Sequence, residues 1–254
     1  MRFLKILVLV GSLRKSNTYN TVRKIEDIHK KKSVCEYEYI FLKDIDLKQC
    51  RGCFACISKG EGYCPLKDDR DLIVHKIEAA DGVILASPNY AANVSWLMKN
   101  CIDRFAYTSH RPKYFNQKFM LLISSGSYMG AKNAMKSLSM MVSGGSIISR
   151  LITVNSLQMN EKKLRIQEDK IKRTAKKFAE LMSKEKSHSP PLSYLIWFSV
   201  FKASSGTYKE SLPADYQYYM NKEYFIECKL NVFQKFAIKI STSLFQLMIK
   251  IGLV

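Results

Sequence analysis

The sequence predicts an α/β fold in which helices cover both faces of a five-stranded parallel sheet. Two observations support this prediction. Over the first 185 residues, short apolar runs alternate with segments that have the periodicity of amphipathic helices. The first run, residues 3–10, is apolar almost throughout, which is typical of a strand buried on both faces. Strands that alternate with helices imply right-handed crossovers, and such crossovers make the sheet parallel.

The next two elements follow from periodicity. A helix is predicted over residues 18–31, because Val22, Ile25 and Ile28 recur at helical spacing. Residues 35–42 alternate between apolar and polar side chains, which indicates a second strand. These segments therefore complete the first strand–helix–strand unit.

The same alternation continues to about residue 184. In the helix predicted over residues 71–80, Leu72, Ile73, Ile77 and Ala80 lie on one face. Compact apolar runs predict three further strands, at residues 82–87, 119–124 and 147–154. Helical periodicity predicts the segments that follow them, at residues 94–107, 131–142 and 161–184.

The pattern changes beyond residue 186 and indicates a second domain. A His-Ser-Pro-Pro break is followed by an apolar segment too short to span a bilayer, then by a tyrosine-rich segment and a lysine-bearing helix, at residues 192–201, 213–225 and 230–251. We therefore expect one domain over residues 1–186, with a cysteine-rich insertion at residues 50–64, and a helical C-terminal extension over residues 187–254.

The last predicted helix has a wide apolar face. Its members include Phe233, Phe236, Ile240, Leu244 and Ile251. A surface of this kind must be covered. Docking on the same domain or on a dimer mate is the favoured interpretation, and a basic helix lying on a membrane surface is the alternative.

Charge and the start of the chain bear on location and partners. The chain has 41 Lys and Arg against 22 Asp and Glu, a net charge of +19. This charge attracts anionic partners, but the lysines are scattered and no nucleic-acid-binding module is recognisable, so a solvated basic surface without nucleic-acid binding is favoured.

The first apolar run lacks the long apolar core and cleavage site of a signal peptide, and no stretch reaches about 18 apolar residues. We therefore expect a cytoplasmic protein.

The loop after the first strand has the composition of a phosphate site. In a doubly wound parallel sheet, the ligand lies outside the carboxyl ends of the strands, where the strand order reverses. Here Ser12, Ser16, Asn17 and Thr18 lead into a helix, whose free backbone N–H groups suit a phosphate dianion, and Arg14 adds a charge-assisted contact. The glycines of a Walker loop or a dinucleotide fingerprint are missing. An ordinary helix cap is the alternative, and phosphate binding is favoured.

The loops after the third and fourth strands are suited to a flat heterocycle. After the third strand, a Pro88-Asn89 turn lies near Tyr90 and Trp96 and offers an amide-rich, aromatic wall. Aromatic side chains that fill the core are the alternative interpretation. After the fourth strand, the small residues of segment 124–130 let the backbone approach a ligand closely.

Four of the seven cysteines lie close together in the sequence. The spacing C-x2-C-x2-C-x7-C is formed by Cys50, Cys53, Cys56 and Cys64. A reducing cytoplasm disfavours disulfides, and zinc usually takes two separated ligand pairs. Compact triplets with a fourth thiolate nearby are typical of iron–sulfur ligation, so a [4Fe-4S] cluster is favoured over zinc and, narrowly, over thiols without metal. The isolated cysteines are interpreted as packing residues: Cys35, Cys101 and Cys228.

Two sequence blocks resemble the NADPH-dependent FMN reductase and iron-sulfur flavoprotein family. They are Gly-Ser-x-Arg-x-Ser-Asn-Thr at residues 11–18 and Ser-Pro-x-Tyr-x-x-Asn-Val-Ser-x-x-x-Lys-x-x-Ile-Asp-Arg at residues 87–104. The cysteine spacing, with Asp68-Asp69 following it, also resembles this family. The resemblance covers about residues 1–184 and implies a flavodoxin-like fold with strand order 2-1-3-4-5 and FMN as cofactor.

The resemblance also implies roles for individual residues. The FMN phosphate would be held by Ser12, Arg14, Ser16, Asn17 and Thr18. The flavin ring would be flanked by Pro88, Asn89, Tyr90, Asn93, Ser125, Gly126, Ser127 and Tyr128. Relatives usually complete the flavin site with a neighbouring subunit, so a homodimer or homotetramer is implied.

These observations predict an oxidoreductase that takes hydride from NAD(P)H through FMN. The acceptor would be a small molecule: a flavin, quinone, nitro or azo compound, or a metal complex. The alternative is an iron-sulfur flavoprotein that relays single electrons from ferredoxin through a [4Fe-4S] cluster to FMN. A third interpretation is a flavin-binding or membrane-tethered module without turnover. No Ser/His/Asp arrangement or carboxylate pair supports hydrolysis, and no side chain is assigned as a catalytic acid or base.

Overall fold

The computed structural model describes residues 3–156, 159–184 and 190–253. Its strands are β1 (Leu4–Val10), β2 (Cys35–Phe41), β3 (Gly82–Tyr90), β4 (Asn93–Val94), β5 (Lys118–Ser125) and β6 (Ser146–Val154). The first helices are α1 (Asn17–Lys30), α2 (Ala55–Ser58), α3 (Arg70–Ala79), α4 (Trp96–Arg104), α5 (Tyr107–His110) and α6 (Ala131–Ser139). The remaining ones are α7 (Glu161–Ser183), α8 (Leu192–Thr207), α9 (Pro213–Tyr219) and α10 (Val232–Lys250), and a 3₁₀ turn covers Glu61–Tyr63.

The sheet has five parallel strands in the order β2-β1-β3-β5-β6. β4 is a two-residue addition that pairs antiparallel with the end of β3. Counted without β4, the parallel strands follow the predicted order 2-1-3-4-5, and the flavodoxin-like fold class is confirmed. Val10 pairs with Phe41 of β2 on one side and with Ala86 of β3 on the other, so β1 and β3 are adjacent where the strand order reverses.

One predicted helix, residues 94–107, has different ends in the structure. Val94 belongs to β4, because a tight turn folds it back onto β3. α4 then begins after Ser95, whose Oγ accepts a hydrogen bond from the Met98 amide at 3.2 Å and so caps the helix. The chain leaves α4 after Arg104 and forms the separate short helix α5, which holds Tyr107.

The strands of the sheet send alternate side chains into two apolar layers. Leu7 and Leu9 of β1 pack in the layer that includes Ile73 of α3 and other residues from α4 and α6. Ile6 of β1 packs in the opposite layer with α1 and α7, which contributes Phe178. The period of two along each strand therefore explains why the strand sequences are apolar almost throughout.

The chain divides into two compact units. The sheet unit comprises Met1–Cys50, Asp68–Phe105 and Lys113–Glu185, and the helical unit comprises Arg51–Lys67, Ala106–Pro112 and Lys186–Val254. The cysteine-rich segment, expected as an insertion in the first domain, thus groups with the C-terminal extension from residue 51 onward. The expected boundary between residues 186 and 187, and the His-Ser part of the predicted break, lie outside the described residues.

Polar contacts explain why two inner segments belong to the helical unit. Arg111 forms a buried ion pair with Asp215 of α9 and donates to the backbone carbonyl groups of Cys56 and Ile57. The Tyr219 hydroxyl donates to the His110 carbonyl group. These bonds are between residues far apart in sequence, so the local pattern that set the expected boundary does not contain them.

The extension is helical, as predicted. α10 starts at a capping box, in which the Asn231 side chain accepts from the Gln234 amide at 2.8 Å and the Gln234 side chain accepts from the Asn231 amide at 3.0 Å. Among the described helices, none is both long enough and apolar enough to cross a bilayer.

Candidate functional site

Three adjacent strands end at one edge of the sheet. β1 pairs with β3 up to Val10 and Ala86, and β3 pairs with β5 up to Pro88 and Ser124. The ends of these strands, together with the segments that follow them, contain all thirteen residues that the sequence assigns to a ligand other than a metal. The carboxyl edge of β1, β3 and β5 is therefore the candidate site.

The first loop presents polar groups before α1. Ser12 is buried, and its Oγ donates to the Arg14 carbonyl group at 2.8 Å, which holds the loop in a tight bend. Arg14, Ser16 and Asn17 are exposed, whereas Thr18 is buried. The Ser16 side chain makes no capping hydrogen bond, and the first turn of α1 has no acidic residue. The helix start can therefore receive an anion.

The start of α4 anchors this first loop. Ser95 Oγ donates to the Gly11 carbonyl group, and the Ser95 amide donates to Ser87 Oγ at 3.0 Å. A Cβ at Gly11 would lie 2.8 Å from Cβ of Met98, so only glycine fits without a shift. The Ser95 position in the second sequence block thus ties the β1 and β3 loops to each other.

The second loop presents its aromatic side chains to solvent. Tyr90 is 55% exposed and Trp96 is 59% exposed, so neither fills the core, and the core-filling interpretation of this loop is wrong. Pro88 is buried, and the Asn93 side chain is exposed. Between β3 and β4, the backbone turns through two residues with positive φ.

The third loop is joined to the second by Asn89. The Asn89 amide Nδ2 donates to Ser125 Oγ and to the Met129 carbonyl group, both at 2.9 Å. Its Oδ1 is buried and has no hydrogen-bond partner among the described residues. Gly126, Ser127 and Tyr128 are exposed beside it. A buried acceptor beside free aromatic and amide groups fits a planar ligand with ring N–H donors, such as a flavin.

The four clustered cysteines belong to both units of the chain and differ in exposure. Cys50 and Cys53 are exposed, and Cys56 and Cys64 are half-buried. Within the described ranges, no three Cys, His, Asp or Glu side chains are placed so that they could hold a metal ion. Thiolates are the usual ligands of iron–sulfur clusters, so the residue types suit iron.

The isolated cysteines differ from one another in burial. Cys101 is fully buried, and burial raises the pKa of its thiol to about 12, so it is an inert packing residue, as predicted. Cys35 and Cys228 are half-buried, and burial raises the pKa of both thiols.

A buried ion pair in the sheet unit fixes the chain that leads to Cys50. Asp68 and Arg104 are almost fully buried, and Arg104 Nη2 donates to Asp68 Oδ1 at 2.9 Å. Burial alone raises the pKa of Asp68, but hydrogen bonds from Arg104 and from the backbone N–H groups of Arg70 and Lys48 lower it overall. Arg104 also donates to the Lys48 carbonyl group at 2.8 Å.

Asn100 adds hydrogen bonds to the same segment. We call Asp68, Asn100 and Arg104 together the clamp. Its Nδ2 donates to the Leu47 carbonyl group at 3.0 Å, and its Oδ1 accepts from the Cys50 amide at 3.0 Å. Asp68 and Arg104 belong to the family-like motifs of the sequence, whereas Asn100 occupies an unassigned position of the second block. The sequence does not predict the clamp, because its contacts join residues that are far apart along the chain.

The strand order and the helices on both faces of the sheet make this a flavodoxin-like α/β protein, and the candidate site lies where the strand order reverses. Residues 4–161 match the model of the NADPH-dependent FMN reductase family, and the chain belongs to that family.

Curated relatives share part of this sequence, and solved structures share its fold. An iron-sulfur flavoprotein of Archaeoglobus fulgidus is 39% identical over 101 residues, which are 40% of this chain and 48% of the relative. The chain thus spans about half the length of the curated relatives it matches. An NAD(P)H:quinone oxidoreductase from Methanothermobacter marburgensis has a similar fold, with a TM-score of 0.57 at 13% identity over 73% of this chain and 100% of that one. RosB, solved with a bound riboflavin-phosphate derivative, has a TM-score of 0.54 at 14% identity over 90% of this chain and 92% of that one.

Proposed function

We propose that the protein is an FMN-dependent reductase that passes reducing equivalents from NAD(P)H to a small acceptor. One observation carries the proposal. Asn89 Oδ1 is buried and has no hydrogen-bond partner in the described part of the chain, and it lies at the carboxyl edge of the sheet between two loops with exposed aromatic side chains. An acceptor of this kind is costly to bury unless a ligand donates to it.

Each loop has a distinct task in this proposal. Ser12, Arg14, Ser16, Asn17 and Thr18 hold the phosphate, since the loop precedes an uncapped helix start. The second and third loops flank the ring through Pro88, Asn89, Tyr90, Asn93, Ser125, Gly126, Ser127 and Tyr128. FMN, when bound, supplies the hydride and electron chemistry. The side chains supply binding and orientation, and the exposed Tyr90 and Tyr128 lie on the solvent side, where NAD(P)H and then the acceptor would approach.

The acceptor belongs to a broad chemical class. An open, aromatic-edged site admits flat, reducible molecules such as quinones, free flavins, and nitro or azo compounds, and a metal complex is a further candidate. The compact four-cysteine motif agrees with a reducing compartment, where thiols are kept reduced, and we place the protein in the cytoplasm. A homodimer or homotetramer would complete the site from a second subunit. The assignment of residues 1–186 to the FMN-binding domain stays a prediction.

A second candidate is a single-electron carrier with an iron–sulfur cluster at Cys50, Cys53, Cys56 and Cys64. The clamp favours it, because Asn100 and Arg104, which is paired with Asp68, hydrogen-bond the chain that leads to Cys50. The net charge of +19 would help an encounter with an acidic ferredoxin. The relatives named iron-sulfur flavoproteins agree with it.

One experiment separates the two candidates. The protein is purified without oxygen, and its flavin, iron and sulfide contents are measured before NADPH and NADH oxidation is followed with a quinone acceptor. Flavin without iron, with nicotinamide oxidation, supports the reductase. About four irons per chain, lost in Cys53→Ser but kept in the control Cys228→Ser, support the electron carrier. A colourless protein that does not take up added FMN contradicts both.

A further inference from the structure

α10 carries an apolar face that the described residues leave uncovered. Its Phe233 side chain is 84% exposed and Phe236 is 62% exposed, and the same face continues along the helix through Ile240, Leu244, Leu247 and Ile251, each at least 50% exposed. The opposite side of α10 packs on α8, where Ile238 is buried and Ser199 Oγ donates to its carbonyl group at 3.3 Å. The exposed face is therefore separate from the one that holds the helix in place.

The charges along α10 all have one sign. The helix contains Lys235, Lys239 and Lys250 and no acidic residue. Lys235 pairs with Glu223 at 3.0 Å, whereas Lys239 and Lys250 have no carboxylate partner in the described part of the chain. At about 100° per residue, these two lysines fall along one border of the apolar face. The border therefore presents positive charge beside exposed aromatic side chains.

A cleft of about 330 Å³ lies on the same side of α10 as these lysines. Its lining includes Lys202 of α8, Lys235 and Lys239, with Glu223 as its one acidic residue, and the hydroxyl residues Thr242 and Ser243. Lys235 is paired with Glu223, and the Lys202 ammonium donates to the Lys222 carbonyl group. The exposed Lys239 and Ser243 are therefore the groups of the cleft that suit the phosphate of a lipid headgroup.

We propose that α10 and this cleft form a surface that docks on an anionic lipid bilayer. The apolar face would enter the boundary between headgroups and acyl chains, while the lysines contact lipid phosphates. Charge favours this occupant over a second copy of the chain. A second α10 would bring no acidic residue to the lysine border, whereas an anionic bilayer supplies the missing opposite charge.

The test is co-sedimentation of the full chain with vesicles. Binding to phosphatidylcholine vesicles that contain phosphatidylglycerol is expected, with little binding to phosphatidylcholine alone and weaker binding at high salt. Phe233→Ser with Phe236→Ser should abolish binding. Lys239→Glu with Lys250→Glu should reduce the partition coefficient at least about tenfold, since each lysine near an anionic surface contributes measurably.

Matched changes on α7 serve as controls. Lys172→Glu with Lys176→Glu makes the same change in net charge, and Leu164→Ser with Ile166→Ser removes exposed apolar groups elsewhere. Both pairs should bind like the unchanged protein. All altered positions are exposed, so circular dichroism melting should show folded proteins. The proposal is overturned if the unchanged protein does not bind anionic vesicles, if the α7 changes weaken binding as much, or if the phenylalanine changes instead dissociate an oligomer in light scattering.

Discussion

Ala91 and Ala92 form the tight turn between β3 and β4 in the second loop. Their φ angles are +49° and +60°, in the left-handed region that residues with a Cβ rarely adopt. The turn joins Tyr90 to its partner Asn93, so both ends of the strained pair are predicted ring-flanking residues. Gly130 packs against it, and a Cβ there would lie 2.3 Å from Cα of Ala92. A strained backbone of this kind persists only where the surrounding contacts hold it in place.

Replacement of either alanine should relieve this strain. Ala91→Gly or Ala92→Gly is expected to raise the free energy of unfolding by about 0.5–1 kcal/mol, because the relief exceeds the extra chain entropy of glycine. Urea unfolding measures it. Ala175→Gly, in the middle of α7, is the control and should lower the free energy of unfolding by about 1 kcal/mol or more. Equal losses in all three variants would count against strain in the turn.

Substitution of Arg14 tests whether the first loop binds the phosphate of FMN. Arg14→Ala is expected to weaken FMN binding about tenfold, through loss of a charge-assisted hydrogen bond at an exposed position. Riboflavin lacks the phosphate, so its affinity should stay the same. Flavin fluorescence quenching measures both constants, and Arg165→Ala on α7 is the matched control. Equal weakening for FMN and riboflavin would remove Arg14 from the phosphate site.

At the scale of elements, α4 connects the site to the cysteine segment. Its start is capped by Ser95, which also bonds Gly11 in the first loop. Its later turns carry Asn100 and Arg104, which hold the chain at residues 47–50. One helix therefore positions both the first loop of the candidate site and the chain at Cys50.

The buried ion pair between Asp68 and Arg104 of α4 should stabilise the fold far more than an exposed ion pair on the same helix. Asp68→Asn is expected to lower the free energy of unfolding by about 3 kcal/mol, because it leaves Arg104 buried without a countercharge. Lys99 and Asp103 form an exposed pair one position away on the same helix. Asp103→Asn should cost about 0.5 kcal/mol or less. Chemical unfolding of both variants checks this, and similar small losses would mean that the clamp contributes little.

At the scale of the whole molecule, stability should fall in acid. His29 is fully buried between Tyr37 and Phe178, and burial lowers its pKa from 6.5 to about 4. The unfolded chain therefore takes up a proton at His29 at a higher pH than the folded chain does. Stability from this source is complete above pH 6.5 and is lost as the pH falls towards 4.

The loss should be measurable by urea unfolding across this range. Between pH 8 and pH 5, His29 is expected to account for about 2 kcal/mol of the decrease in unfolding free energy. His29→Gln should flatten the pH dependence by that amount, although its stability at pH 8 is lower. His75→Gln is the control, because the His75 side chain is 79% exposed. A pH dependence that His29→Gln leaves unchanged would assign the acid sensitivity to other groups.

The order and type of the main elements, and the three loops of the candidate site, could be predicted from the amino-acid sequence. Local periodicity reports the burial of each segment, and the carboxyl ends of parallel strands must meet at one edge. Three features could be seen only in the folded chain: the β4 turn, the exposure of Tyr90 and Trp96, and the grouping of the cysteine segment with the helical unit. Arg104 meets Asp68 across 36 positions, and Arg111 meets Asp215 across 104. Such pairs leave no local periodic signal, because their energy comes from burial that exists only once the chain has folded.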